Sequence, residues 1–217
     1  MMLLNVVSQP ATLIRRYKRF LADIRLHDES LLTIHCPNTG SMKGCADAGN
    51  LVYYSQSGNT KRQFPCTWEL AKTNAGHWIC VNTALPNKVV GEALLADSIP
   101  ELTGYSEHLA EVRYGRNSRI DWLLKGHPSA ADCYIEVKNV TLLENGKGYF
   151  PDAVSTRATK HLQELMEVKA AGYRAVIFYL VSHSGINRVA PAQHIDPEYA
   201  RAFALAAKHG VEALAYR

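Results

Sequence analysis

The sequence predicts an α/β protein in which a small closed β-barrel precedes a mixed sheet flanked by helices. Three observations support this fold. The first third consists of short β segments separated by turn residues, helical apolar spacing appears only after residue 82, and the later strands first follow one another and then alternate with helices. We expect two parts, at residues 1–81 and 82–217. Because no linker separates them, they should share an interface.

The barrel prediction depends on strand-like segments at 20–26, 31–36, 50–55 and 78–81. They are separated by Pro-Asn-Thr-Gly at 37–40, by glycines at 44 and 49, and by Ser-Gly-Asn at 57–59. About five short strands in roughly 70 residues fit an OB-like barrel, whose open face commonly binds single strands or oligosaccharides. Other small barrels would give the same pattern.

The second part alternates helices and strands. Helices are predicted at 88–96 and 155–171, and a third should begin with Asp196 as N-cap and Pro197 in its first turn and end at Gly210. Strands are predicted at 110–114, 119–124, 133–140, 175–181 and 211–216. Three strands in succession indicate antiparallel hairpins, and the later alternation indicates parallel additions, so the sheet should be mixed.

Composition limits the class of protein. The net charge of +4 is a weak indication of an anionic partner. Five cysteines without a C-x-x-C pair indicate neither a disulfide framework nor a zinc ribbon, which favours a reducing cytoplasm. No run approaches the roughly 20 apolar residues of a membrane span. We therefore expect a cytoplasmic protein with no membrane partner, and the sequence leaves monomer and homodimer both open.

Acidic and basic side chains should meet on the strand at 133–140. Alternation sends Ile135 and Val137 to the core and puts Glu136 and Lys138 together on the other face. A hairpin folded about the middle of the preceding connection places Asp121 opposite Glu136. Two facing carboxylates repel unless something compensates. Mg²⁺ or Mn²⁺ would do so, and Lys138 alone could instead neutralise part of the repulsion.

This arrangement predicts phosphodiester hydrolysis. Asp121 and Glu136 would hold the cation, and Lys138 would orient the attacking water or stabilise the negative charge of the pentavalent transition state. Glu92, on the first helix of the second part, is an additional candidate ligand. The competing interpretation is an ordinary ion-pair cluster on a sheet face.

The same residues resemble a known family. Arg-Ile-Asp at 119–121 and Tyr-Ile-Glu-Val-Lys at 134–138 resemble the D…(D/E)-x-K signature of the restriction-endonuclease-like fold. The whole chain resembles the bacterial sugar fermentation stimulation (SfsA) family, notably in LIRRYKRFLAD at 13–23, HCPNTGSMKGC at 35–45, EVRYG at 111–115, IEVKNVTL at 135–142 and GYFPDAV at 148–154. The resemblance implies an OB-like domain, a nuclease-like domain, DNA binding with little sequence preference, and a role in regulating sugar metabolism, notably that of maltose.

Basic residues in both parts are candidates for binding DNA, with RNA as an alternative. The first group interleaves cations with aromatic residues at 15–20, although solvated cations on an edge strand would look the same. A second group begins the helix at 155–171, where a stripe of Arg157, His161 and Glu164 should face a cleft. The full set is Arg15, Arg16, Lys18, Arg19, Lys43, Lys61, Arg62, Arg119, Arg157, Lys160 and His161.

Three functions remain open at this point. The first is a metal-dependent nuclease acting on DNA, and the second is a non-catalytic, sequence-nonspecific DNA-binding regulator on the same scaffold. The third is a module that binds sugars or polyanions, since small barrels bind those too.

Overall fold

The computed structural model describes residues 8–114 and 118–217. Its first part is a barrel of six strands: β1 Ser8–Tyr17, β2 Leu21–Arg25, β3 Leu31–His35, β4 Leu51–Gln56, β5 Cys66–Lys72 and β6 Trp78–Cys80. The strands lie in the order β3-β2-β1-β4-β5-β6, and a parallel contact of His35 with Thr67 joins β3 to β5 and closes the barrel. The OB-like barrel predicted from the sequence is confirmed.

Strands β1 and β5 complete the barrel beyond the four predicted segments. Strand β5 contributes Trp68, which is fully buried at the barrel centre. Its first four residues are all buried, so it lacks the alternation of apolar and polar residues that marks a strand in sequence. In β1, Arg15 and Arg16 follow the apolar residues, so the C-terminal end of the strand lacks the alternation of apolar and polar residues that predicts a strand.

The second part is built on a five-stranded sheet in the order β14-β12-β9-β8-β7. Its strands are β7 Glu107–Tyr114, β8 Ser118–Lys125, β9 Cys133–Val140, β12 Arg174–Val181 and β14 Glu212–Tyr216. The first three pair antiparallel, and β12 and β14 add in parallel. This is the predicted mixed sheet. A small sheet of β10 Leu142–Glu144, β11 Lys147–Phe150 and β13 Val189–Pro191 was not predicted.

Helices cover both faces of this sheet. Helix α1 (Pro86–Leu95) packs on the face that carries Ile135, Val137 and Phe178. Helices α2 (Thr156–Ala170) and α3 (Pro197–Lys208) pack on the other face, against Ile177 and Tyr179. A short 3-10 helix, Pro100–Leu102, follows α1. Side chains of β9 that point away from α1 therefore point toward α2.

Capping residues start the two longer helices, and for α3 the sequence predicts them. The Ser155 side chain accepts a hydrogen bond from the Ala158 amide at the start of α2. Asp196 accepts one from the Tyr199 amide at the start of α3, with Pro197 in the first turn. Gly210 follows α3 with φ of +83°, a conformation that costs glycine little. The predicted caps of α3 are thus confirmed.

The two parts share the expected interface. The loop after β3 reaches the second part, where the Ser41 amide and hydroxyl donate to the Asp152 carboxylate at 3.1 and 3.0 Å. Strand β6 also pairs with the segment after β12, since the Cys80 amide donates to the Ser182 carbonyl. None of the described helices combines the length and apolar character that a membrane crossing requires.

Candidate nuclease-type site

The β8–β9 hairpin brings Asp121 and Glu136 to the same end of the sheet. Its ladder pairs Trp122 with Ile135 and Leu123 with Tyr134, which is the predicted register. The next pair in that register is Asp121 with Glu136, where the ladder ends. Instead of a main-chain bond, the Asp121 Oδ2 accepts the Val137 amide at 2.7 Å. The carboxylate therefore occupies the gap between the two strands.

Three side chains of β9 and α2 form a compact polar group. Ile135 and Val137 are buried in the core against α1, so Glu136 and Lys138 face α2, as alternation predicts. The Lys138 ammonium donates to Glu136 Oε1 at 2.6 Å. The ring of His161, from α2, places Nδ1 against the same oxygen and 3.0 Å from the Lys138 Nζ. Glu136 and the two nitrogen donors thus form one cluster, and Asp121 lines the same cavities.

The surroundings of the two carboxyl groups shift their pKa values in opposite directions. Burial raises the pKa of Asp121, and the nearby negative charge of Glu136 adds to the effect, although the bonds from Val137 and Asn87 oppose it. Burial also disfavours the charged form of Glu136, but the hydrogen bonds and positive charge supplied by His161 and Lys138 outweigh it and lower its pKa. Glu136 is therefore the firmly ionised member of the pair.

One oxygen of this cluster has no partner within the described residues. Glu136 is only 3% exposed, and its Oε2 is buried without a hydrogen bond. A buried carboxylate oxygen normally has a hydrogen bond or binds a cation. Two hard oxygen donors, from Asp121 and Glu136, match Mg²⁺ or Mn²⁺, which binds proteins through one or two carboxylates and completes its coordination with water and phosphate. The residues present fit such a cation.

The third predicted ligand does not join them. Glu92 is exposed on α1 and lines neither of the cavities at the carboxylates. Asn87 of the same helix points there and donates to Asp121 Oδ1 at 2.6 Å. Five residues along a helix turn a side chain roughly 140° away, so Glu92 cannot share that direction. Accordingly, no group of three or more His, Cys, Asp or Glu side chains in the described chain is arranged to hold a metal ion.

Two adjoining cavities, of about 910 and 490 Å³, open over the carboxylates. They share Asn87, Glu111, Asp121, Glu136 and Arg157. The larger one adds the predicted basic residues Arg119, Lys160 and His161, together with Ser118 and Thr156. The smaller one adds Lys138 and Lys88, the latter at the start of α1. Cations therefore flank the acidic centre on both sides.

Glu111 is a cavity residue that the sequence interpretation did not select. It lies on β7 opposite Asp121 in the register of the β7–β8 ladder, and its φ is +56°, which is strained for a residue with a side chain. The sequence signal for Glu111 was the resemblance of EVRYG at 111–115 to the family. The alternation of apolar and polar residues in that strand gave no reason to place Glu111 in the site. Asn87 was missed because nothing local distinguishes it from other residues in a first helical turn.

Two basic residues of the barrel donate hydrogen bonds to main-chain carbonyls of the protein. Arg16 donates to the Asn38 and Gly40 carbonyls, and Arg19 donates to the Thr39 carbonyl. These two residues hold the loop after β3, and their contact with DNA stays a prediction.

The other basic residues of the barrel make fewer hydrogen bonds and ion pairs with the protein. Arg15 pairs with Asp23 at 2.8 Å, and Lys43 pairs with Glu144. Arg62 donates to the Thr67 hydroxyl at 3.2 Å. Lys18 and Lys61 are exposed, with no side-chain hydrogen bond or ion pair to any other described residue.

Two family models match the chain. The family model for the SfsA N-terminal OB domain matches residues 14–81, and the model for the sugar fermentation stimulation protein RE domain matches residues 84–217. The chain belongs to the sugar fermentation stimulation protein family. A relative from Hahella chejuensis, named a sugar fermentation stimulation protein homolog, is 57% identical over 217 residues, covering 100% of this chain and 90% of its own.

A solved member of the family has the same architecture. The structure of Pyrococcus furiosus SfsA, titled as a complex with Ca²⁺, matches with a TM-score of 0.85 at 25% identity. The match covers 99% of this chain and 91% of the other. The OB-like barrel followed by a restriction-endonuclease-like mixed sheet is therefore the fold of this family member.

Proposed function

We propose that this protein binds DNA and hydrolyses its phosphodiester bonds with the help of Mg²⁺ or Mn²⁺ held by Asp121 and Glu136. The observation that carries the proposal is the buried, unpartnered Glu136 Oε2 beside a second carboxylate in a cavity flanked by cations. The Ca²⁺ complex of the Pyrococcus furiosus relative supports it, because Ca²⁺ also prefers oxygen ligands.

Each residue of the cluster has a distinct role in this proposal. The bound cation would polarise a phosphoryl oxygen and lower the pKa of a bound water. Lys138, fixed by its bond to Glu136, presents a positive charge at the site and stabilises negative charge developing on the phosphoryl oxygens. Asn87 and the Val137 amide hold the Asp121 carboxylate in place. These side chains would need little rearrangement to hold the cation and contact the phosphoryl group.

The surroundings favour a polyanion over a neutral sugar. Arg119, Arg157 and Lys160 are exposed at the larger cavity, and the first turn of α2 lines it as well. The N-terminal end of a helix carries partial positive charge and attracts phosphate. DNA affinity should therefore fall steeply with salt concentration, whereas binding of a neutral sugar should barely respond.

A cleavage assay tests the proposal. Purified protein is incubated with plasmid and with single-stranded DNA, with Mn²⁺, Mg²⁺ or EDTA. We expect metal-dependent cleavage that Asp121→Asn and Lys138→Met each reduce by at least about 100-fold. Asp47→Asn, which removes one charge from an exposed barrel loop, is the matched control and should cleave normally. Cleavage that survives in Asp121→Asn would come from a contaminant and would contradict the proposal.

A second candidate is a DNA-binding regulator of sugar metabolism that does not cleave. The absence of a third acidic or histidine ligand among the described residues, and the engagement of Glu136 Oε1 by Lys138 and His161, favour this alternative. It predicts salt-dependent DNA binding with no cleavage of DNA or RNA in any metal. RNA is included because contacts with phosphate alone do not distinguish it from DNA.

A further inference from the structure

His161 lies where the basic stripe of α2 meets the sheet, but its surroundings differ from those of its neighbours. Arg157 and Lys160 are exposed, whereas His161 is 5% exposed. A phosphate-binding side chain must reach a polyanion at the surface. The His161 ring is instead packed between the helix and β9, with its polar atoms directed at protein groups.

The two ring nitrogens of His161 have different partners. Nδ1 contacts Glu136 Oε1, and because an ionised carboxylate can only accept, Nδ1 carries a proton and donates it in this contact. The Lys138 Nζ, 3.0 Å from Nδ1, donates to the same oxygen. Arg157 Nε lies 3.4 Å from Nε2. His161 and Lys138 thus hold the Glu136 carboxylate by one oxygen.

The same contacts decide which Glu136 oxygen is available. Oε1 receives donors from both His161 and Lys138, whereas Oε2 is buried and has no partner among the described residues. Rotating the carboxylate to exchange the two oxygens would break two hydrogen bonds, one of them to an ammonium group. The carboxylate therefore keeps Oε2 directed away from its protein donors.

We infer that His161 is a positioning residue that orients Glu136 for cation binding, and not a residue that contacts phosphate. The inference rests on the proposed metal site. Groups that hydrogen-bond a metal-ligating side chain typically affect metal affinity by about 10- to 100-fold when they are removed. His161 should therefore act on the affinity for Mn²⁺ and leave metal-free DNA binding unchanged.

Three substitutions separate positioning from packing. His161→Asn puts an amide donor close to the position of Nδ1 and should retain the bond to Glu136. His161→Gln puts its donor nearer to Nε2, and His161→Leu has no donor. Mn²⁺ affinity is measured by isothermal titration calorimetry on the full chain, DNA affinity is measured in EDTA, and thermal unfolding reports whether each variant is folded.

The expected result is Mn²⁺ affinity about 10- to 100-fold weaker in His161→Leu and His161→Gln, with His161→Asn within about threefold of wild type. Equal Mn²⁺ affinities in folded wild type, Leu and Gln variants would overturn the inference, as would a parallel loss of metal-free DNA binding. Failure of the wild type to bind Mn²⁺ would overturn both the inference and the proposed function. If Mn²⁺ binds in the expected order but no substrate is cleaved, the positioning role stands and the nuclease proposal fails.

Discussion

Replacing Asp121 with asparagine should stabilise the metal-free protein and remove its response to Mn²⁺. Because burial and the charge of Glu136 raise the pKa of Asp121, the ionised carboxylate opposes folding at neutral pH. Asparagine has nearly the same shape. Its carbonyl can accept the Val137 amide, and Asn87 can turn its own amide oxygen toward the new donor.

The expected gain is worked from the repulsion between the carboxylates and the hydrogen bonds that oppose it; burial of the charge adds to the gain, and the attraction of Lys138 reduces it. Two unit charges roughly 5 Å apart, the spacing of facing residues on adjacent strands, repel by about 3 kcal/mol at an effective dielectric constant near 20. Loss of the charge also weakens the two hydrogen bonds of Asp121 by about 1 kcal/mol each. The net stabilisation is about 1 kcal/mol, which for a chain of this size raises Tm by about 2–4 °C.

Thermal unfolding in EDTA measures this gain, and its pH dependence checks the cause. A folded-state pKa above the unfolded value of about 3.9 means that wild type loses stability as pH rises through that value toward the folded one. The advantage of Asp121→Asn should therefore be present at pH 7 and vanish near pH 4. Asp47→Asn, with the same change in charge at an exposed position, should show no such difference.

Added Mn²⁺ should reverse the ranking. At a concentration 100 times Kd, a ligand that binds only the folded state stabilises it by about 2.7 kcal/mol. Wild type should gain this amount, and Asp121→Asn should gain little. A lower Tm for Asp121→Asn in EDTA at pH 7, or equal stabilisation of both proteins by Mn²⁺, would refute the reasoning.

Three further predictions concern other residues of the molecule. Glu111→Gly should be about 1 kcal/mol more stable than Glu111→Ala in denaturant unfolding, because both lack the carboxylate but only glycine accommodates the positive φ without strain; equal stabilities would argue against strain at this position. Asp152→Ala should cost about 0.5–1.5 kcal/mol by removing the acceptor of the exposed Ser41 amide and hydroxyl, and hydrogen exchange should increase in the loop at 40–42; unchanged exchange there would contradict this role. Arg119→Ala should weaken DNA binding and reduce the slope of log affinity against log salt by about 1, whereas Arg15→Ala, whose guanidinium is paired with an acid, should change it less; the reverse order in a fluorescence anisotropy titration would place the DNA on the barrel instead.

Local periodicity was sufficient for much of the fold and for the centre of the site. Strand alternation put Glu136 and Lys138 on one face, and the length of the connection between β8 and β9 set the register that brings Asp121 near them. The caps of α3 could also be predicted from the sequence, because Asp196 and the Tyr199 amide that it accepts are three residues apart. These features depend on neighbours in the chain, so the sequence by itself determines them.

Only the tertiary structure decided which polar side chains bond to other groups of the protein and which remain available to a ligand. His161 meets Glu136 across 25 positions of sequence, and Arg16 reaches the Gly40 carbonyl across 24. A basic residue looks the same in sequence whether it will bind a phosphate, a carbonyl or a carboxylate. The partner is set by the packing of α2 on the sheet and of the loop on the barrel, because hydrogen bonds and ion pairs act over a few ångströms in space, whatever the separation along the chain.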